Sequence, residues 1–205
     1  MTLSLRIAAA LLACSLHFAA LAAGGPLGID HRWNLQDSGI WKRNNQNILR
    51  YGGLYGSVGF ALWEGGESRI GKTAWQSVDS VVVSQVVAES AKPAFGRVRP
   101  RDANDPNEWF KNGRSFPSGE VAGITGIITP YVLEYGHDNP HVYALELLPA
   151  YDAIARMKVQ AHWQTDVLAG FALGTAAGYL AHERASPLIL GVLPSGFMVG
   201  LKRQF

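Results

Sequence analysis

Residues 118–135 and 166–182 are apolar on nearly every side when wound as helices. Both carry internal glycines: Gly123 and Gly126 in the first, Gly170, Gly174 and Gly178 in the second. A helix without a polar face has to be buried, in a protein core or in a membrane. Each run stops after roughly 15–18 residues with charges flanking it, short of the roughly 20 that a bilayer span needs. Glycines four apart leave one smooth face for close helix approach, and a membrane dimer face is the weaker reading of that ladder. The two stretches therefore predict core helices of an all-α bundle.

The remaining chain fits that frame. Residues 72–91 place Trp75, Val78, Val82, Val86 and Ala88 close to one helical stripe, and Lys92-Pro93 marks its end. Residues 48–63 are apolar with Gly52, Gly53, Gly56 and Gly59 between, and residues 141–159 look helical again. Residues 64–71, with Gly65-Gly66, form a turn, and residues 136–140 a polar break. Asp, Asn, Pro and Gly make residues 101–114 a surface loop. Residues 24–47 read as a polar lead-in with at most one short helix. Residues 188–205 change character: Phe197, Val199, Leu201, Arg203 and Phe205 alternate after a Pro194-Ser195-Gly196 turn. That predicts a short β-hairpin or tail. The final aromatic resembles the closing strand of an outer-membrane barrel, but nothing else in the chain repeats such strands.

Residues 1–23 read as a secretory signal peptide. Arg6 gives a positive start, residues 7–21 an apolar core, and Ala20-Leu21-Ala22 a small-x-small cleavage pattern. Leu11-Leu12-Ala13-Cys14 is a fainter lipoprotein box, and Cys14 is the single cysteine. Residues 24–187 then form one helical domain. The expected location is across the inner membrane, periplasmic or peripheral to a membrane. Net charge is only +2 over 205 residues, so bulk charge does not argue for nucleic acid and the cations matter by clustering.

They do cluster. Lys92, Arg97, Arg99, Arg101, Lys111 and Arg114 lead into Pro117-Ser118-Gly119 at a helix start, where free N–H groups suit a phosphate-like anion. Downstream, His162 and Asp166 are four apart and meet on one helical turn, with Arg156 before them. A carboxylate on one imidazole nitrogen fixes the tautomer and frees the other as base or nucleophile. Taken singly, each feature has a plainer reading: a structural histidine, a surface ion pair, an N-cap serine, a solvated basic face.

Lys92-x6-Arg99-Pro100, then Pro117-Ser118-Gly119, then Arg156-x5-His162-x3-Asp166 resembles the type 2 phosphatidic acid phosphatase (PAP2) family, whose fold is shared with vanadium haloperoxidases. The resemblance implies an all-α bundle and a phosphatase acting on a phosphomonoester or pyrophosphate, a lipid phosphate being favoured by family association. It implies that Lys92, Arg99 and Arg156 hold phosphate oxygens, helped by the Ser118 hydroxyl and the Gly119 N–H. His162 would form a phosphohistidine with Asp166 orienting it, without cofactor or metal. Partners would be a phosphorylated small molecule or lipid, with peripheral membrane contact permitted and oligomeric state open.

Two positions depart from the family pattern. Ala155 replaces a serine, and Glu120 stands where the family has the histidine that protonates the leaving oxygen. Burial and a phosphate dianion would raise Glu120 towards a protonated acid, while the cations would push it back to an anion. The alternative to a working enzyme is therefore a weak or silent phosphate-binding homologue. A haloperoxidase is argued against by the small size and the lost histidine.

Overall fold

Why these helices pack as they do is clearest at α3 (Gly119–Tyr135), which lies between α2 (Arg69–Phe95) and α5 (Gln164–His182). The structure, a computed structural model, describes residues 24–184 together with the backbone of two strands, 188–193 and 196–201. The predicted signal peptide at 1–23 and the turn at Pro194-Ser195 lie outside the described residues. Helices α1 (Arg43–Glu64) and α4 (Leu147–Lys158) complete the bundle, with 3-10 turns at Gly39–Trp41 and Pro140–Glu146. The chain is all-α apart from β1 (Leu188–Leu193) and β2 (Gly196–Leu201). These pair antiparallel, with Leu188 opposite Leu201 and Leu193 opposite Gly196.

The glycine ladder of α5 faces α3. A Cβ on Gly174 would lie 2.4 Å from the Ala122 carbonyl oxygen, and one on Gly178 2.4 Å from Thr129 Cβ. Only hydrogen fits there, so the ladder is spent inside the chain and is not a membrane dimer face. On the other side, α2 meets α3 with small residues: Ser77 donates to the Ile127 carbonyl at 2.8 Å, and Ser80, Ser84 and Ala88 are buried beside it. Apolar contacts fill the remainder, with Val121, Ala153 and Val167 joining α3, α4 and α5. Among the described residues no helix is long and apolar enough to cross a membrane.

Several boundaries differ from the sequence expectation: α1 begins at Arg43, inside the expected lead-in, and α2 at Arg69, inside the expected turn. Helix α2 runs through Pro93 and ends at Gly96, which takes a left-handed φ of 51° and donates its N–H to the Lys92 carbonyl at 2.8 Å. Proline removes only its own N–H, a small loss in a last turn that a left-handed glycine then closes. The expected helix over 141–159 divides into the 3-10 turn Pro140–Glu146 and α4, and Pro149 falls in the first turn of α4. There a missing N–H costs nothing, because first-turn N–H groups have no partner within the helix.

Candidate active site

The long loop from α2 to α3 is held by an ion cluster with no access to water. Arg97 is fully buried and uses all its nitrogens: Nε and Nη2 donate to the Pro106 carbonyl, Nη2 to Asp30 Oδ2 at 2.6 Å, and Nη1 to Thr165 Oγ1 at 2.7 Å and to Asp166 Oδ1. Trp109 lies 4.4 Å and Trp163 5.6 Å from the guanidinium carbon, covering it with ring faces. Arg97 is thus a structural cation and not part of an anion cradle. It ties together the lead-in segment, the loop and the start of α5.

That cluster fixes Asp166. Its Oδ2 accepts from the Ser115 hydroxyl and from the Trp163 N–H at 2.8 Å. Burial alone would raise the Asp166 carboxyl, but its neighbours His162, Arg97 and Ser115 more than offset this and keep it below the usual range. The expected direct hydrogen bond to His162 is not made, because Asp166 Oδ2 stands 3.8 Å from Nδ1. The Ser115 carbonyl takes that bond instead, at 2.7 Å. A carbonyl only accepts, so Nδ1 carries the hydrogen and Nε2 keeps its lone pair. Burial pushes the imidazole down to about 4, Asp166 opposing and Arg156 adding to the fall, so His162 is neutral at ordinary pH.

His162 lines a cleft of about 710 Å³ together with Lys92, Arg99, Gly119, Glu120 and Arg156. Six of the eight residues singled out in the sequence therefore line one cleft. Asp166 stands behind His162. Ser118 is completely buried at the start of α3, its N–H bonded to the Asp166 carbonyl at 3.0 Å. Its hydroxyl makes no N-cap bond and has no partner among the described residues. Lys92 reaches over Gly119 and pairs with Glu89, which also holds Arg114 at 2.5 Å. Burial first, then Arg101, lowers the Arg99 pKa, as expected of a cation short of counter-charge.

Glu120 falls on the anionic side of its two readings. Arg43 binds it through both guanidinium nitrogens, at 2.7 and 2.8 Å, while Arg50 stands at 3.4 Å and Arg156 at 3.6 Å. Burial alone would raise its carboxyl; the Arg43 contact and the Arg156 and Arg50 charges reverse this and hold it to about 2. The histidines His137, His141 and His182 do not line the cleft and so bring no second imidazole to it, and His182 bonds Glu134 at 2.9 Å.

Sequence reasoning missed the contribution of the α1 entrance. Arg43 and Gln46 fell in the supposed lead-in and Arg50 in the apolar run at 48–63, although their spacing of three, four and seven places them on one helical face. Gln46 Oε1 accepts from Arg43 at 3.1 Å and from Arg156 at 2.9 Å, which docks α1 on the site. Asp152, one turn before Arg156, was also missed. It is buried with neither carboxylate oxygen hydrogen-bonded, and burial first, then the Glu120 charge, pushes it up to about 7. Among the described residues no group of three or more His, Cys, Asp or Glu side chains could hold a metal ion.

A central helix pair, an imidazole with Nδ1 tied to a carbonyl, and the cations Lys92, Arg99 and Arg156 thus meet at one cleft. The chain belongs to the PAP2 superfamily, whose family model matches residues 73–187. It is 33% identical over 97 residues to a lipid A 1-phosphatase of Porphyromonas gingivalis, a match covering 47% of this chain and 20% of that protein. The chain thus spans about a fifth of that relative's length. Among solved structures it resembles LpxE from Aquifex aeolicus, at 16% identity and a TM-score of 0.40, over 73% of this chain and 99% of that one.

Proposed function

We propose that this protein is a phosphatase that transfers a phosphoryl group to His162 and then to water. The observation that carries the reading is the single tautomer of His162, with Nδ1 tied to the Ser115 carbonyl and Nε2 free beside Lys92, Arg99 and Arg156. Phosphoryl transfer needs positioning and charge neutralisation above all. Three fixed cations supply the second. Arg156, lowered to about 10 by burial, still keeps its charge at neutral pH. The Gly119 N–H at the helix start and the unpartnered Ser118 hydroxyl suit the same oxygens.

In this scheme Nε2 attacks phosphorus and the P–O bond to the leaving group breaks. Asp166, through its charge and its hold on Ser115, positions the imidazole and stabilises the cationic ring that forms. Water then attacks phosphorus and returns the electron pair to Nε2. The substrate class is a phosphorylated lipid, as the name of the Porphyromonas gingivalis relative suggests. The apolar run at 1–23 would direct the chain across the inner membrane, to a periplasmic or membrane-peripheral place. Purified protein should release phosphate from p-nitrophenyl phosphate and accumulate an acid-labile phosphoenzyme on rapid quench. His162→Ala should lower turnover by about 10³-fold or more, as loss of a covalent nucleophile does. Equal rates for the two proteins would end the proposal.

One observation favours a second reading, a phosphate-binding protein with little turnover. Glu120, ionised down to about pH 2, has no proton to give a leaving oxygen. Tight vanadate binding without phosphate release would select it.

A further inference from the structure

Glu120 is where three arginines meet. Arg43 and Arg50 come from α1 and Arg156 from α4, at 2.7, 3.4 and 3.6 Å, and all of them line the cleft that holds His162. One carboxylate leaves two of those three charges unmatched. The amide of Gln46, which bridges Arg43 and Arg156, adds no charge. Asp152, a further carboxyl that feels these arginines, is held towards its neutral form by burial, and Asp37, on the same cleft, accepts the Arg43 backbone N–H at 2.7 Å. The cations on the other side, Lys92 and Arg99, have separate partners in Glu89 and the Arg114 carbonyl. The cleft, of about 710 Å³, therefore offers two cation groups, and Arg156 feels the charges of both Arg43 and Arg99.

The chemistry at position 120 points the same way. An alkoxide that leaves without a proton is a poor leaving group, and Glu120 is fully engaged by Arg43. A phosphate leaving from a diphosphate departs as a stable anion and needs no acid. We infer that Arg43 and Arg50, locked in place by Glu120, form a subsite for the leaving phosphate of a diphosphate, so that the preferred substrate is a phosphoanhydride rather than a simple phosphate ester. The inference rests on the phosphatase reading given above.

The step balances without a donor. Nε2 of His162 forms a bond to the terminal phosphorus, and the bond from that phosphorus to the bridging oxygen breaks. Its electron pair stays on the bridging oxygen, which leaves as a monophosphate against Arg43 and Arg50. In the second half water forms the new P–O bond, the pair of the P–N bond returns to Nε2, and the water proton ends on the released phosphate. Glu120 acts here as a positioning residue that preorganises the arginines.

The test compares dodecyl diphosphate, dodecyl monophosphate and inorganic pyrophosphate as substrates of the full chain. Because general acid catalysis is worth about 10²–10⁴-fold to a substrate that needs it, kcat/KM should favour the diphosphate over the monophosphate by roughly 10²-fold or more. Arg50→Gln should lower the diphosphate value by about tenfold, more than it lowers the monophosphate value. Glu120→His should narrow the gap by raising monophosphate turnover. A second readout needs no catalysis: on His162→Ala, methylenediphosphonate should bind at least about tenfold tighter than methylphosphonate, and Arg50→Gln should shrink that difference. Pyrophosphate turning over like the dodecyl diphosphate, or more slowly, supports the subsite in either case and tells whether the chain is also read. Monophosphate hydrolysed within about threefold of diphosphate, or equal binding of the two phosphonates, overturns the inference and leaves the phosphatase reading standing. No turnover of any substrate and no phosphonate binding would sink both.

Discussion

At His162 two neighbours divide work that one residue was expected to do. The Ser115 carbonyl selects the tautomer at 2.7 Å, and Asp166 supplies charge from 3.8 Å while anchoring the loop. The pH dependence follows from the direction of the shift. The folded histidine is held to about 4 against an ordinary value of 6.5, so the unfolded chain binds the extra proton between those values. Stability from this group is complete above about 6.5 and is lost as pH falls through about 4. Activity that needs neutral His162 should persist in acid, with the acid limb of kcat/KM near pH 4 and not near 6.5. A limb near 6.5, or an NMR titration of the ring there, would show that burial does not set this group. His162 itself was legible in the sequence from the order of the three motifs. Its carbonyl partner was not, because a backbone acceptor leaves no trace in residue identities.

The glycines of α5 show what an element can reveal before its fold is known. Their spacing of four announced a close helix neighbour, and only the packing names it as α3. This matters to the site because Ser118 and Asp166 occupy the first turns of these two helices, and the Ser118 N–H bonds the Asp166 carbonyl. A Cβ at Gly174 would meet the Ala122 carbonyl and Thr125 at 2.4 and 2.6 Å, and neither can move without its helix. Gly174→Ala should therefore cost about 1–3 kcal/mol in urea unfolding. It should also lower kcat/KM, because the two first turns separate. The reverse failure occurs at α1. Its apolar, glycine-containing body was recognisable, but Arg43 and Gln46 in its first turn, polar and without a known partner, read as part of the lead-in. What they bind, Glu120 and Arg156, lies on other helices, and that pairing is a property of the assembled bundle.

Across the whole molecule, the buried Arg97 cluster is the joint between distant parts of the chain. Two carboxylates, Asp30 and Asp166, depend on one guanidinium, and all three side chains are shut off from water. Removing one member of such a cluster leaves uncompensated charge in a low dielectric. Arg97→Met should destabilise by about 3–5 kcal/mol, measurable by thermal or urea unfolding. A loss below about 1 kcal/mol would mean that water reaches the cluster. The cations around residue 97 were visible in the sequence as a group. Which of them faces the cleft was not, since Arg97 and Arg99 are two apart in a loop and only the ring faces of Trp109 and Trp163 separate their fates.

The same joint has a consequence for the order in which the protein is made. Asp30 bonds the N–H and hydroxyl of Thr165, 135 positions further along, and through Arg97 it reaches Asp166. In a chain emerging from a ribosome, Asp30 and Arg97 can pair once the loop is out, but the cluster is complete only when Thr165 and Asp166 arrive with α5. The histidine is thus brought into register only once α5 has been made, and a chain still short of it carries no assembled centre.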